Sequence, residues 1–483
     1  MSGVWWTLYA LSTGGLLAYG LHAVYLLAVA RRRGPAYLAA LEACRARAAL
    51  GPERTPAVLV QLPVYNEARV VTRLIDAVAA LDWPPDALEV QLLDDSTDET
   101  PRIARSAVRR AAAAGLRIRH VRRADRAGFK AGALAHGLGL SSAPFVAIFD
   151  ADFVPRPDFL RRALPLFESG PRVACVQGRW EHLNRDQNLL TRAQAVAVDA
   201  HFFVQQLARA SGAGLVNFNG SAGVWRREAI DDVGGWSSAT LTEDLDLSFR
   251  AHLAGWRFVF DPTLAVPAEL PPTLGAYKSQ QRRWACGSVQ CARRLLGPLW
   301  RSRLGARTKL EGTLHLGGYA VCLAMVALAV LLPFGFGHLA LLGREPHLWP
   351  LWIAVWVAAL GPLRVALHGQ RAARGRRFAF AGVAGAALLG VGVSANNALA
   401  VLRGLLWPID EFVRTPKQGG GRAGTGPLPR TELAFASFTA AAAGVLALTA
   451  PASLVAYALF CSSGSWVLAL YWWTWERRLG RLS

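Results

Sequence analysis

Phe145-Val146-Ala147-Ile148-Phe149-Asp150-Ala151-Asp152 is the stretch that decides how the first half of this 483-residue chain folds. Five consecutive apolar residues read as a core strand, and the strand runs out into two carboxylates one residue apart. Alternation along a strand puts those carboxylates on the same side, close enough to hold a hard divalent ion through oxygen ligands. Mg²⁺ or Mn²⁺ bridging a nucleotide diphosphate is the natural occupant, and a chance DxD triplet is the plainer reading.

Outward from this strand, between about 56 and 275, short apolar runs alternate with helical stretches, as in a sheet flanked by helices. Ala57–Leu62, Leu88–Leu93, Ile118–Val121 and Val173–Gln177 are the other expected strands, with helices over Glu67–Leu81 and Pro101–Ala114. Ligands of such sheets bind beyond the carboxyl ends of the strands. The first strand leads into Pro63-Val64-Tyr65-Asn66-Glu67, where a nucleobase can stack on Tyr65 or the ring can simply pack at a turn. The second ends in Asp94-Asp95-Ser96-Thr97-Asp98. Ser96 and Asp98 suit a helix cap, but two adjacent carboxylates repel unless a cation or donor compensates them, and a nucleoside or a metal would do so.

Only four of the 53 basic residues are lysine, and Lys130, Lys278 and Lys417 fall in or beside motifs. Gly128-Phe129-Lys130-Ala131-Gly132 offers a point charge suited to a phosphate. Thr242-Glu243-Asp244 opens an amphipathic helix. Thr242 as cap and two acids on the helix dipole explain it structurally, while Asp244 can also take a proton from an attacking hydroxyl. Gln280-Gln281-Arg282-Arg283-Trp284 joins guanidinium groups that balance a diphosphate to an indole that stacks on a sugar face. Its plainer reading is a piece of interfacial helix.

Hydrophobic residues make up 53% of the chain and concentrate at its two ends. Trp5–Ala30 has no charged residue over 26 positions and is followed by Arg31-Arg32-Arg33, which reads as a retained anchor with residue 31 onward in the cytoplasm. Further apolar runs lie at about 313–336, 347–367, 378–402, 433–450 and 453–473. If the run at 378–402, with Asn396-Asn397 and Arg403, lies at the interface, the cationic segments after it fall inside. Five spans and one interfacial helix are therefore expected. The formal charge of +20 does not indicate a nucleic-acid partner, because nine Lys or Arg residues and no acid between Lys278 and Lys309 suit anionic membrane lipids. Six scattered cysteines without zinc-ligand spacing read as reduced thiols.

The motifs LDDSTDET (93–100), GFKAGAL (128–134), VAIFDADF (146–153), FNGSAGVWR (218–226), TEDLDLSFRAHLAGW (242–256) and ELPPTLGAYKSQQRRWACG (269–287) give the chain its family resemblance. It resembles a family 2 glycosyltransferase of the cellulose-synthase superfamily, in particular the cellulose-synthase-like A and C group. That resemblance implies an α/β GT-A (Rossmann-like) catalytic domain at 31–275 between transmembrane helices. An anchor at 1–30 precedes it. An interfacial region at 276–310 and a transmembrane region at 311–483 follow, the latter with an interfacial helix at about 378–405 and a gating loop at about 408–425.

The resemblance further implies an inverting hexosyltransferase of the inner or plasma membrane. It would use Mg²⁺ or Mn²⁺ and draw on UDP-glucose or GDP-mannose to extend a β-linked glycan. A lipid acceptor, giving a glycolipid, and a non-catalytic scaffold are the alternatives. Tyr65, Glu67, Asp94, Asp95, Lys130, Asp150, Gln280 and Arg283 would line the donor, and Asp152 with Asp150 would hold the metal. Asp244, with Glu243, would be the base; Trp284, Phe218, Asn219 and Gly220 would meet the acceptor. Phe412, Thr415 and Lys417 would form the gating loop, where Arg414 departs from the family pattern. The resemblance also leads us to expect no C-terminal regulatory domain and none of the extra N-terminal spans of bacterial cellulose synthases.

Overall fold

The computed structural model describes residues 3–48, 55–341, 349–375, 380–407, 429–449 and 452–476. Its centre is one sheet of seven strands: β1 (Val58–Val64), β2 (Leu88–Asp94), β3 (Ile118–Val121), β4 (Phe145–Ile148), β5 (Val173–His182), β6 (Gly223–Arg226) and β7 (Arg257–Ala268). The order is β3-β2-β1-β4-β6-β5-β7. β1 pairs in parallel with β2 and β4, and β6 runs antiparallel between β4 and β5. The sequence marks β1 to β5. It does not mark β6, which is four residues long, or β7, whose Pro262 and Pro267 interrupt the pattern.

The crossovers are α2 (Val71–Ala79), α3 (Thr100–Ala113) and α4 (Phe129–Leu138), followed by α5 (Phe159–Ala163), α6 (Leu189–Ala200), α7 (Arg227–Asp232) and α8 (Glu243–Leu253). Val58, Val60 and Leu62 of β1 pack on one face of the sheet with Leu74 and Val108, and Leu59 packs on the other with Leu134. Burial on both faces is what makes these strands continuously apolar. It also leaves the carboxyl ends of β1, β2 and β4 as the free edge where polar loops collect.

The membrane half begins with α1 (Gly3–Arg47), which does not end at Ala30. The helix continues because its later turns are part of the catalytic domain. The Tyr37 hydroxyl donates to Phe260 O at 2.9 Å, Arg45 pairs with Asp261, and Leu41 and Cys44 join the sheet core. After the sheet come α9 (Leu274–Arg301), α10 (Ala306–Leu316), α11 (Ala320–Leu341), α12 (Trp349–Arg374), α13 (Phe380–Gly392), α14 (Ser394–Leu406), α15 (Arg430–Thr449) and α16 (Ala452–Tyr471).

Among the described residues, α1 and the Trp352–Arg374 part of α12 are long and apolar enough to cross a membrane. Two bent pairs qualify if each is one span: α10 with the start of α11, at 63°, and α13 with α14, at 46°. The expected run at 313–336 is therefore broken between Leu316 and Ala320. Asn396 and Asn397, expected to suit an interface, lie in α14. Asn396 Nδ2 donates to Lys278 O of α9 at 3.3 Å, and Asn397 is buried. All six cysteines are buried and none forms a disulfide.

Candidate active site

The acidic pair at the end of β2 finds its compensation within the chain. Asp94 is buried, accepts the Ser96 N–H at 2.9 Å and lies 2.7 Å from His120 Nε2 of β3. Burial pushes its pKa up, but His120 and Ser96 outweigh burial and hold it below the usual carboxylate range. Asp95 is bracketed by Arg123, with Nε 3.0 Å from Oδ1 and Nη2 2.5 Å from Oδ2. His120, Ser96 and Arg123 thus supply within the chain the compensation expected of a nucleoside or metal, and Asp94 is enclosed. Asp94→Asn is expected to lower stability by about 1.5–3 kcal/mol, the range for hydrogen bonds to a charged group, with donor KM unchanged. Denaturant titration alongside donor kinetics checks this.

Arg123 also donates to Ala127 O at 2.7 Å and Phe129 O at 3.0 Å, fixing the turn that leads into α4. In that turn the Arg126 guanidinium lies 3.5 Å from the centre of the Tyr65 ring. The face of Tyr65 expected to carry a base is held by a cation. Among the described residues three non-glycines have positive φ: Asn66 beside Tyr65, Phe129 beside Lys130, and Ala222 in the loop behind. Such strain persists where surrounding structure over-determines it, and it gathers at functional sites.

Lys130, at the start of α4, is where four segments meet. Its Nζ lies 2.6 Å from Asp150 Oδ1, donates to Gly220 O at 2.8 Å and stands 3.7 Å from Glu243 Oε1. Burial pulls its pKa down, yet Asp150 and Glu243 raise it overall, so it stays charged. The chain leaves β4 at Ile148 and turns, so strand alternation does not carry through the two aspartates. Asp150, with its side chain 34% exposed, faces the cleft. Asp152, at 2% exposure, is turned inward and accepts the Glu269 N–H at 3.0 Å. Among the described residues no three His, Cys, Asp or Glu side chains form a ready-made metal cluster.

Asp244 sits in the first turn of α8, where its Oδ1 accepts the Leu245 N–H at 2.8 Å. Burial and the adjacent Glu243 push its pKa up to about 7, against the pull of Lys130 and Arg283. Gly220 faces it at φ 79°, and a Cβ there would lie 3.0 Å from Asp244 Oδ2 and 3.4 Å from Lys130 Nζ. Only glycine fits that space and that backbone. Thr242 makes no side-chain cap; its Oγ1 lies 3.4 Å from Cys291 Sγ of α9.

Phe218 was expected at the acceptor. It is 0% exposed and packs between Trp225 and Trp236, at ring distances of 5.7 and 6.4 Å, so it cannot touch a sugar. Asn219 remains accessible in part, with Oδ1 2.9 Å from His201 Nε2 and its N–H donating to Gln177 at 2.9 Å. Gln280, Arg283 and Trp284 lie on the first turns of α9, where Trp284 pairs with Trp180 at 6.4 Å. Glu67 is buried at the entry to α2. Phe412, Thr415 and Lys417 lie outside the described residues. His120, Arg123, Arg126, Trp180 and His201 were not marked by any motif. The cationic run Arg122-Arg123 with Arg126, just ahead of Gly128, is the one sequence signal for two of these neighbours, Arg123 and Arg126.

A family model described as "Glycosyltransferase like family 2" matches residues 56–287. Glucomannan 4-beta-mannosyltransferase 2 of Arabidopsis thaliana is 44% identical over 258 residues, which cover 53% of this chain and 48% of that protein. Probable glucomannan 4-beta-mannosyltransferase 6 of Oryza sativa subsp. japonica is 48% identical over 236 residues, 48% of this chain and 41% of its own. The chain therefore spans about half the length of the curated relatives it matches, or less. A solved mannosyltransferase from Pyrobaculum calidifontis, in complex with GDP-Man and Mn²⁺, is similar at 24% identity and a TM-score of 0.48, covering 79% of this chain and 99% of its own. Over residues 56–287, from β1 into α9, the chain carries a mixed seven-stranded sheet and matches the family 2 glycosyltransferase model, and across that half it is similar to the glucomannan 4-beta-mannosyltransferases.

Proposed function

We propose that the chain is an inverting, membrane-integrated hexosyltransferase that extends a β-linked glycan from a nucleotide sugar, with GDP-mannose the favoured donor and UDP-glucose the other. The observation that carries this reading is the convergence of Lys130, Asp150, Glu243 and Asp244 on one cleft at the carboxyl edge of the sheet. The identity to glucomannan 4-beta-mannosyltransferases across that half supports it and favours mannose. With Arg31-Arg32-Arg33 at the inner end of the anchor, the catalytic domain faces the cytoplasm.

Asp244 takes the proton of the acceptor hydroxyl as the oxygen attacks the anomeric carbon, and the bond to the diphosphate breaks on the opposite face. An α-linked donor so becomes a β-linked product. Lys130 and Arg283 receive the charge that develops on the departing diphosphate. Asp150 suits a hard divalent ion, which needs only one or two protein carboxylates beside phosphate oxygens; Asp152 stands behind it. When bound, Mg²⁺ or Mn²⁺ supplies positive charge to the leaving group. Gln280 lines the donor beside Arg283, Trp284 holds the acceptor end, and Asn219 with Gly220 lines its approach.

The test is to incubate nanodisc-held protein with Mg²⁺ or Mn²⁺ and radiolabelled GDP-mannose or UDP-glucose. The product is then sized and treated with linkage-specific hydrolases. Label in an alcohol-insoluble β-1,4-glycan, abolished by chelation, is the expected result. Label confined to an organic-soluble lipid makes the enzyme a glycolipid synthase. No transfer from either donor removes the reading.

A further inference from the structure

Acids are rare beyond residue 270, and the two whose side chains are described there, Glu311 and Glu432, are both buried and both bound to a base. Glu432 opens α15. Its Oε2 lies 2.5 Å from Lys278 Nζ, and its other oxygen is buried without a hydrogen-bond partner among the described residues. Lys278 is in the second turn of α9, two residues before Gln280 and six before Trp284. Its carbonyl accepts Asn396 Nδ2 of α14 at 3.3 Å. One turn on, the Tyr319 hydroxyl donates to Gln281 Oε1 at 3.2 Å. Three membrane-side segments thus grip the beginning of α9 from one side.

The other side of α9 is fitted to the catalytic helix without slack. A Cβ on Gly287 would fall 2.6 Å from Thr242 Cγ2 and 3.0 Å from Thr242 N, so α9 rests directly on the residue before Glu243 and Asp244. A Cβ on Gly404 of α14 would lie 2.7 Å from Cys286 O. A close-packed contact transmits displacement rather than absorbing it. The depth at which Lys278 is pinned therefore sets where Arg283 and Trp284 stand relative to Asp244.

We propose that the Lys278–Glu432 pair, a buried carboxylate held by a half-buried lysine, is a positioning device for transfer, fixing the α9 turn that carries Gln280, Arg283 and Trp284 against Glu243 and Asp244. The proposal deepens the reading of the cleft as a transferase and rests on it. A buried ion pair is weak evidence for stability, since apolar residues of similar volume often serve as well. Its place at the start of α9, beneath Gln280 and Trp284, points to geometry instead. The lysine is one of only four in the chain, and its neighbour in the structure is a fully buried carboxylate.

The experiment uses the full chain in nanodiscs, with Lys278→Met, Glu432→Gln and the double variant Lys278→Met/Glu432→Leu. Each single variant leaves a buried charge or a buried polar group unpaired and is expected to unfold at lower temperature. The double variant removes both charges and is expected to fold as the wild type does. In it, kcat falls about tenfold or more while donor KM stays within about twofold, the signature of an interaction realised only in the transition state. Amide exchange over residues 278–287 quickens, and the rest of the sheet domain is unchanged.

A folded double variant with wild-type kcat overturns the proposal, whether or not its exchange changes. A loss of kcat with unchanged exchange over 278–287 overturns it too, because the helix turn has not moved. If the wild-type protein transfers no sugar, the transferase reading fails by itself. The exchange comparison still decides whether the pair holds α9.

Discussion

Asp244→Asn is expected to lower kcat by about 10²–10⁴-fold, the range supplied by a positioned general base, without lowering stability. Asparagine keeps the volume and one oxygen acceptor for the Leu245 N–H, so the turn at the start of α8 is preserved. What it cannot do is accept a proton. The pH dependence follows from the burial that lifts the carboxyl to about 7. Below that value the base is protonated in the free enzyme, so kcat/KM should rise with pH up to about 7 and level off above it. For stability the sign is opposite. The folded state holds this proton more tightly than the unfolded chain does, so the contribution is present at low pH and is lost as pH rises through about 7. The Asn variant does not ionise, and it should equal the wild type in acid and exceed it at pH 8. Paired pH–rate and thermal-unfolding curves check both. An Asn variant retaining wild-type kcat would remove Asp244 as the base.

Glu311→Gln is expected to destabilise the protein by about 3–5 kcal/mol, the cost of leaving a buried charge without its partner. Glu311 of α10 lies 2.8 Å from Arg209 Nε, 3.5 Å from His22 Nε2 of α1, and accepts the Leu215 N–H at 3.3 Å. One carboxylate so joins the first membrane helix, the π-helical turn after α6, and the bent entry to α11. Arg209 is itself 4% exposed, and without the carboxylate its guanidinium has nowhere to be solvated. Arg209→Met combined with Glu311→Leu is expected to recover most of the loss. Denaturant unfolding in nanodiscs reads the effect. A Gln variant within about 0.5 kcal/mol of wild type, the scale of an ordinary surface change, would contradict it.

The two ion pairs illustrate what was legible in advance. Lys278 stood out as a rare lysine beside a motif, but nothing local tied it to Glu432, 154 positions later. Glu311 drew no notice as one acid after a run of bases. The five expected strands appear as β1 to β5, with their ends shifted by a few residues, because a strand apolar on both faces declares itself locally. The loops at the strand ends were equally legible, since polar residues following a buried strand have to collect at its carboxyl edge.

The roles within those loops were not. Asp94 and Asp95 asked for a compensating cation or donor, and the sequence could not say that His120 and Arg123, from the neighbouring strand and the turn after it, lie beside them. Phe218 read as part of an acceptor loop, yet the aromatic pair Trp225 and Trp236 encloses it.

By itself the sequence determined the alternating α/β order, the apolar ends, and the motif residues at the sheet edge, because periodicity and hydrophobicity act over a few residues. The tertiary structure alone decided that Asp150 faces the cleft while Asp152 turns inward, that Asp244 is lifted toward neutrality, and that α9 is clamped between Glu432 and Thr242. Each of these depends on the burial and charge brought by segments distant in sequence, and electrostatic energy is set by distance in space and access to water, not by order along the chain.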